Sequence, residues 1–165
     1  MEVKEFIDKA RQLASHKTIY IKDCSGCYMS QANKLKYSSN NIFNNKRSQM
    51  IFAVSDDTYG LDEIGLIKTI FPEKTFNTIW EVINDCDAVS KDFNSIVPGE
   101  LVFGNDTVGI YIGKNDSITC TASGVQIISG FEMWSSHGQL RGIDYARPVD
   151  PVVETVEEVI AEEPK

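Results

Sequence analysis

The stretch Asp57-Thr58-Tyr59-Gly60-Leu61-Asp62-Glu63-Ile64-Gly65-Leu66-Ile67-Lys68-Thr69-Ile70 decides how this chain is read. The approach to it, from Ser55 to Gly60, is rich in turn formers. Behind it Ile64, Ile67 and Ile70 recur at helical spacing, and Pro72 stands just past the end. That pattern predicts a buried helix of two to three turns, entered from a glycine-containing turn. Upstream, Val3, Phe6, Ile7, Ala10, Leu13 and Ala14 predict an amphipathic helix over residues 2–15. A short apolar run, Thr18-Ile19-Tyr20-Ile21, then leads into Lys22-Asp23 and Cys24-Ser25-Gly26-Cys27. Ser30 is placed to cap a short helix through Tyr37. The Asn-rich stretch from Ser38 to Asn45 reads as a loop, and residues 46–54 read as helical.

Downstream, Ile79, Trp80 and Ile83 predict a further helix near residues 77–84. After Pro98-Gly99 the pattern changes to short β-rich runs at Leu101 to Phe103, Val108 to Ile112, Ser117 to Thr121, Val125 to Ile128 and Ile143 to Tyr145. Helices first and an antiparallel sheet of about five strands second is an α+β layout. The chain shows no internal repeat.

Composition narrows the function classes. The chain has 165 residues, 16 basic and 24 acidic, for a net charge of -8. Such a balance, without a basic stripe, argues against nucleic acid as a partner. No apolar run approaches the roughly 20 residues of a membrane span, so no membrane role is expected. Met1-Glu2-Val3-Lys4 opens no signal peptide, so synthesis in the cytoplasm is expected. The acids concentrate from Pro148 to Lys165, where six face a single base. Residues 148–165 are therefore expected to form a flexible acidic tail behind a domain spanning residues 1–147. Within that tail Val153, Val156 and Ile160 define a narrow helical stripe suited to docking.

Few groups carry obvious chemistry. Cys24 and Cys27 form one CxxC, without the second cysteine or histidine pair that a zinc site needs. Cys86 and Cys120 complete a four-thiolate set only if the fold gathers them. The expectation is four reduced cysteines and no metal or cofactor. His16 reads as a solvated residue after the first helix, and His137 as a structural one near a sheet edge. Trp80, Trp134, Phe103 and Tyr111 read as core or cleft-wall aromatics. Asp62 beside Glu63 is a weak carboxylate pair, because adjacent helix residues point in different directions.

Six strings, taken in order, carry a resemblance: Lys17-Thr18-Ile19-Tyr20-Ile21, Asp57 through Lys68, Pro98-Gly99-Glu100-Leu101-Val102-Phe103, Val108-Gly109-Ile110-Tyr111-Ile112-Gly113, Gly124-Val125-Gln126-Ile127, and Trp134-Ser135-Ser136-His137-Gly138-Gln139-Leu140. Together they resemble the NlpC family of papain-like cell-wall peptidases, in its phage and prophage branch, over roughly residues 2–146. The resemblance implies a papain-like fold and an ancestral activity on the peptide stems of peptidoglycan. It also implies a nucleophilic Cys at the start of the central helix, a His before the Val-Gly-Ile-Tyr strand, an orienting polar residue on the next strand, and a cleft-side Tyr on the early strand. Those positions fall here on Glu63, Thr107, Thr119 and Tyr20.

Glu63 is a poor nucleophile toward an amide, and Thr107 cannot serve as a base near neutral pH. The expected protein is thus a catalytically inactive NlpC-like module, a phage structural or binding protein. Its expected partners are other proteins of a phage particle or a cell-wall peptide, and virion association follows from the resemblance. Expected cleft residues are Tyr20, Cys24, Asp62, Glu63 and Thr107.

Asp23-Cys24-Ser25-Gly26 copies the family's nucleophile string and defines an alternative, an active endopeptidase working through Cys24 with His137 as a relocated base. Spacing argues against it. Cys24 lies 83 residues before Thr107, whereas Glu63 lies 44 before it, nearer the family's separation. A thiol redox or zinc-binding module is the third alternative.

Overall fold

A computed structural model describes residues 1–145; the expected tail over residues 148–165 lies outside the described residues. The chain opens with α1 (Val3–Ala14), which buries Val3, Phe6, Ile7 and Ala10 along one stripe. Three short strands follow at intervals: β1 (Thr18–Tyr20), β2 (Cys27–Tyr28) and, after three helices, β3 (Tyr59–Leu61). They pair as β1-β3-β2, parallel between β1 and β3 and antiparallel between β3 and β2. The intervening helices are α2 (Gln31–Ser38), α3 (Ile42–Lys46) and α4 (Ser48–Ala53). Ser30 caps α2 through its side chain, which accepts from Asn33 N.

β3 leads directly into the central helix α5 (Glu63–Ile70), which buries Gly65, Leu66, Ile67 and Ile70. α6 (Ile79–Asn84) begins with a capping box between Thr78 and Glu81. The remaining strands are β4 (Cys86–Ser90), β5 (Leu101–Gly104), β6 (Thr107–Gly113), β7 (Asp116–Thr121), β8 (Gly124–Ser129) and β9 (Trp134–Leu140). They form one antiparallel sheet in the order β4-β9-β5-β6-β7-β8.

The molecule is therefore a mixed α+β protein with a six-stranded antiparallel sheet. One sheet face packs on α1 and α5, and Leu101, Phe103, Val108, Ile110, Ile112 and Ile118 join Phe6, Leu66 and Ile67 in the main core. The other face carries a smaller cluster of Val102, Tyr111 and Trp134, covered by Phe93, Ile96 and Phe131.

Several expectations need correction. The sheet has six strands rather than five. Cys86–Ser90 and Trp134–Leu140 are strands. Both escape the sequence pattern because Ser, His, Gly and Asp dilute their apolar alternation. Ile143 to Tyr145 is not a strand; only Asp144 makes an isolated bridge, to Glu2.

The Ser38 to Asn45 segment is not all loop. Asn41 accepts from Asn44 N at 2.8 Å and starts α3, while the buried Asn44 amide bonds both N and O of Lys22. Tyr59 and Gly60, read as turn, pair with β1. Trp80 is 68% exposed, because α6 turns Ile79, Val82 and Ile83 inward instead.

Candidate functional site

The site grows from the junction of β3 and α5. Asp62 caps the helix, its Oδ1 accepting from Gly65 N at 2.7 Å and its Oδ2 from Asp23 N at 3.0 Å. With the Asp62 carboxylate turned back to these donors, Glu63 becomes the first helical residue and points elsewhere. Tyr20 ends β1 opposite Leu61, which places its hydroxyl to donate to Glu63 Oε1 at 2.7 Å. Thr107 starts β6 and Thr119 lies on β7. Tyr20, Glu63, Thr107 and Thr119 line one cleft of about 300 Å³, together with Phe43, Cys120, Thr121, Ala122 and Met133.

Arg47 straps one side of this cleft. Its guanidinium donates to Tyr20 O at 2.5 Å and to Ala122 O at 2.9 Å, and lies 5.4 Å from the Phe43 ring centre. Neither Arg47 nor Phe43 carries a signal in the sequence. Phe43 sits in the Asn-rich segment, whose helix α3 is set by the Asn41 side-chain cap rather than by apolar spacing, and Arg47 sits in the turn between α3 and α4.

Burial pushes the Glu63 carboxyl above its ordinary value, partly offset by its own backbone N–H and the Tyr20 hydroxyl. Burial and the bond to Glu63 hold the Tyr20 hydroxyl protonated. Thr119 spends its hydroxyl on Val108 O at 2.8 Å, inside the sheet. Cys120 donates to Leu61 O at 3.4 Å, and burial raises its thiol well above the usual range. The cleft thus offers one carboxylate, the free Thr107 face and an apolar wall, with no imidazole among its lining residues.

Two of the expected cleft residues lie elsewhere. Asp62 faces a separate hollow shared with Asp23, Ser25 and Ile64. Cys24 is 1% exposed and packs with Ile19, Ile21, Met29 and Ile51, behind the start of α5. Its carbonyl accepts from Asp62 N at 3.1 Å, so its backbone supports the helix that its thiol does not serve.

The histidines stand apart from both. His16 is exposed, with Nε2 3.2 Å from Asp57 O. His137, on β9 opposite Val102, is buried on the sheet face away from the main core. Its Nδ1 meets Glu100 Oε1 at 2.5 Å and its Nε2 meets Asp92 O at 2.8 Å, so both ring nitrogens are engaged. Among the described residues no group of three or more His, Cys, Asp or Glu is placed to hold a metal ion. Cys24 and Cys27 do meet, with their sulfurs 3.5 Å apart, whereas Cys86 and Cys120 belong to the main core.

Neither the models of known protein families nor the curated proteins compared with this sequence yield a match.

Proposed function

We propose that this chain is a catalytically inactive module with a papain-like, NlpC-type fold, acting by binding as a component of a phage particle. The observation that carries this reading is the cleft at the head of α5. There Glu63 stands with Tyr20 bonded to it, and Thr107 and Thr119 line the same wall. These are the four positions that the family resemblance assigns to nucleophile, cleft tyrosine, base and orienting residue. A carboxylate and a hydroxyl in place of thiol and imidazole leave no route to acyl transfer. Loss of one member of such a unit costs about 10⁶-fold in a comparable hydrolase, and a second loss adds little.

The geometry around Cys24 supports the same reading. Its thiol is enclosed, and His137 spends both ring nitrogens in a different cluster. The assignment to a phage particle rests on the likeness of the sequence strings to phage-borne family members.

Digestion of purified cell-wall sacculi tests the proposal. Wild type and Cys24→Ala are each expected to release no soluble stem peptide above background. Release by wild type that is lost in Cys24→Ala would establish an active thiol peptidase instead. Cosedimentation with the same sacculi then separates a cell-wall ligand from a protein partner within the particle.

A further inference from the structure

The turn from Asp23 to Cys27 is built tightly, and neither of its thiols lines the cleft. Cys24 N donates to Ile21 O at 3.2 Å, Asp23 N to the Asp62 carboxylate, and Thr69 Oγ1 to Ser25 O at 3.3 Å. Gly26 adopts φ +119°, and a Cβ there would lie 2.4 Å from both Thr69 Oγ1 and the Tyr59 hydroxyl. Cys27, the first residue of β2, is then fixed by its pairing with Gly60 of β3. Both ends of the CxxC are thereby anchored, and the sulfurs rest 3.5 Å apart. A short inward movement reaches the bonded separation of about 2.05 Å.

The two thiols differ in a way that suits stepwise chemistry. Cys24 is buried, its Sγ 3.2 Å from Gly60 O, whereas Cys27 is partly exposed. We propose that Cys24 and Cys27 form a thiol–disulfide exchange site that takes a disulfide bond from an organic disulfide and is returned to the dithiol by a reducing thiol. The proposal is independent of the reading of the cleft.

The sequence of events follows from exposure. The contact between the sulfurs lets one thiolate be shared, and a proton resting on Cys24 retains Gly60 O as its acceptor. The exposed Cys27 thiolate attacks the external disulfide, forms a mixed disulfide and expels one thiolate. Cys24 then loses its proton, attacks the Cys27 sulfur and expels the second thiolate. The two cysteines give up two electrons and two protons, and the external disulfide becomes two thiols. Donation from the Cys27 S–H, joined by Gly26 N–H and the Tyr37 hydroxyl, brings the Cys24 thiol down to about 7 despite its burial. The same contact raises Cys27, so Cys27 becomes the attacking thiolate by passing its proton to Cys24 across the 3.5 Å contact. The pair therefore ionises near neutral pH. Cys86 and Cys120 provide internal controls: each is buried and bonded to a backbone carbonyl, Val82 O and Leu61 O respectively.

The experiment treats the full chain with oxidised glutathione at neutral pH and counts free thiols after denaturation, with peptide mapping by mass spectrometry. Two of the four free thiols are expected to be lost, as a Cys24–Cys27 cross-linked peptide that dithiothreitol restores. Cys24→Ser should stop at glutathione attached to Cys27, while Cys27→Ser should leave Cys24 unmodified. If a variant fails to fold, the wild-type map alone decides. Four surviving thiols, a mixed disulfide that never resolves, or a bond involving Cys86 or Cys120 would overturn the proposal. So would a zinc ion retained through gel filtration that protects both thiols.

Discussion

Glu63 sits where a helix N-terminus favours negative charge while burial opposes it. Burial wins, so the folded protein takes up the Glu63 proton more readily than the unfolded chain does. The stability this contributes is fully present below the ordinary glutamate value of 4.5 and is lost as pH rises through the higher folded value. Glu63→Gln keeps an oxygen acceptor for Tyr20 and has no carboxyl to titrate. Its stability relative to wild type should rise from acid to neutral pH and then level off, as read from urea midpoints across a pH series. A difference that stays flat with pH would contradict this account.

At the opposite sheet face, His137 and Glu100 are each about 2% exposed and bonded to one another. His137→Ala leaves the Glu100 carboxylate buried with Val97 N as its remaining donor at 3.1 Å. Leaving a buried hydrogen-bonding group short of its partner costs about 1–3 kcal/mol. Equilibrium urea unfolding should register that loss.

At the scale of elements, the junction between the Cys24 turn and α5 is the tightest point around the site. A Cβ at Gly65 would lie 2.3 Å from Cys24 O and 3.2 Å from Asp62 Oδ1. Helix propensity alone favours alanine over glycine in a helix interior by about 1 kcal/mol. Here the close backbone approach reverses the sign, since Cys24 O also accepts from Asp62 N and cannot withdraw without cost. Gly65→Ala should therefore destabilise by about 1–3 kcal/mol, the range for overpacking, in thermal or urea unfolding. The same change should shift the helix start and weaken the Tyr20–Glu63 bond. Comparing the Glu63 titration in the variant with that in wild type checks this second effect.

Across the whole molecule, stability is unevenly shared. The main core joins α1, α5 and strands β5 to β7 through large buried side chains. The layer formed by α2, α3 and α4 leans on a small separate cluster of Ile19, Ile21, Cys24, Met29 and Ile51. It leaves Leu35, Ile42, Phe43 and Met50 exposed. Less buried apolar area means a lower free energy of local opening. Native-state hydrogen exchange should show the amides of residues 31–53 opening well below the global unfolding free energy. Those of β6 and β7 should exchange only through global unfolding. Because Arg47 and Phe43 belong to the weaker layer, the mouth of the cleft should be its more mobile side.

Local patterning was enough to place α1, the Ser30 cap, α5 and the strands of the sheet's centre, because each element there carries its own apolar period or capping side chain. The net charge and the turn at Asp56-Asp57 were equally plain from the residues alone, whereas nothing in them marked Tyr59 and Gly60 as a strand. What the chain order could not supply was the partnership of distant strands. β9 inserts between β4 and β5, and its Trp-Ser-Ser-His-Gly run becomes a strand only because Val102 and Phe103 present it with a ladder. Likewise, the separation of Cys24 from the cleft and its approach to Cys27 follow from the turn that Asp62, Thr69 and Gly60 hold in place. Periodicity records which face of a segment is buried. Against what it is buried is a long-range matter, settled only when the strands and helices come together.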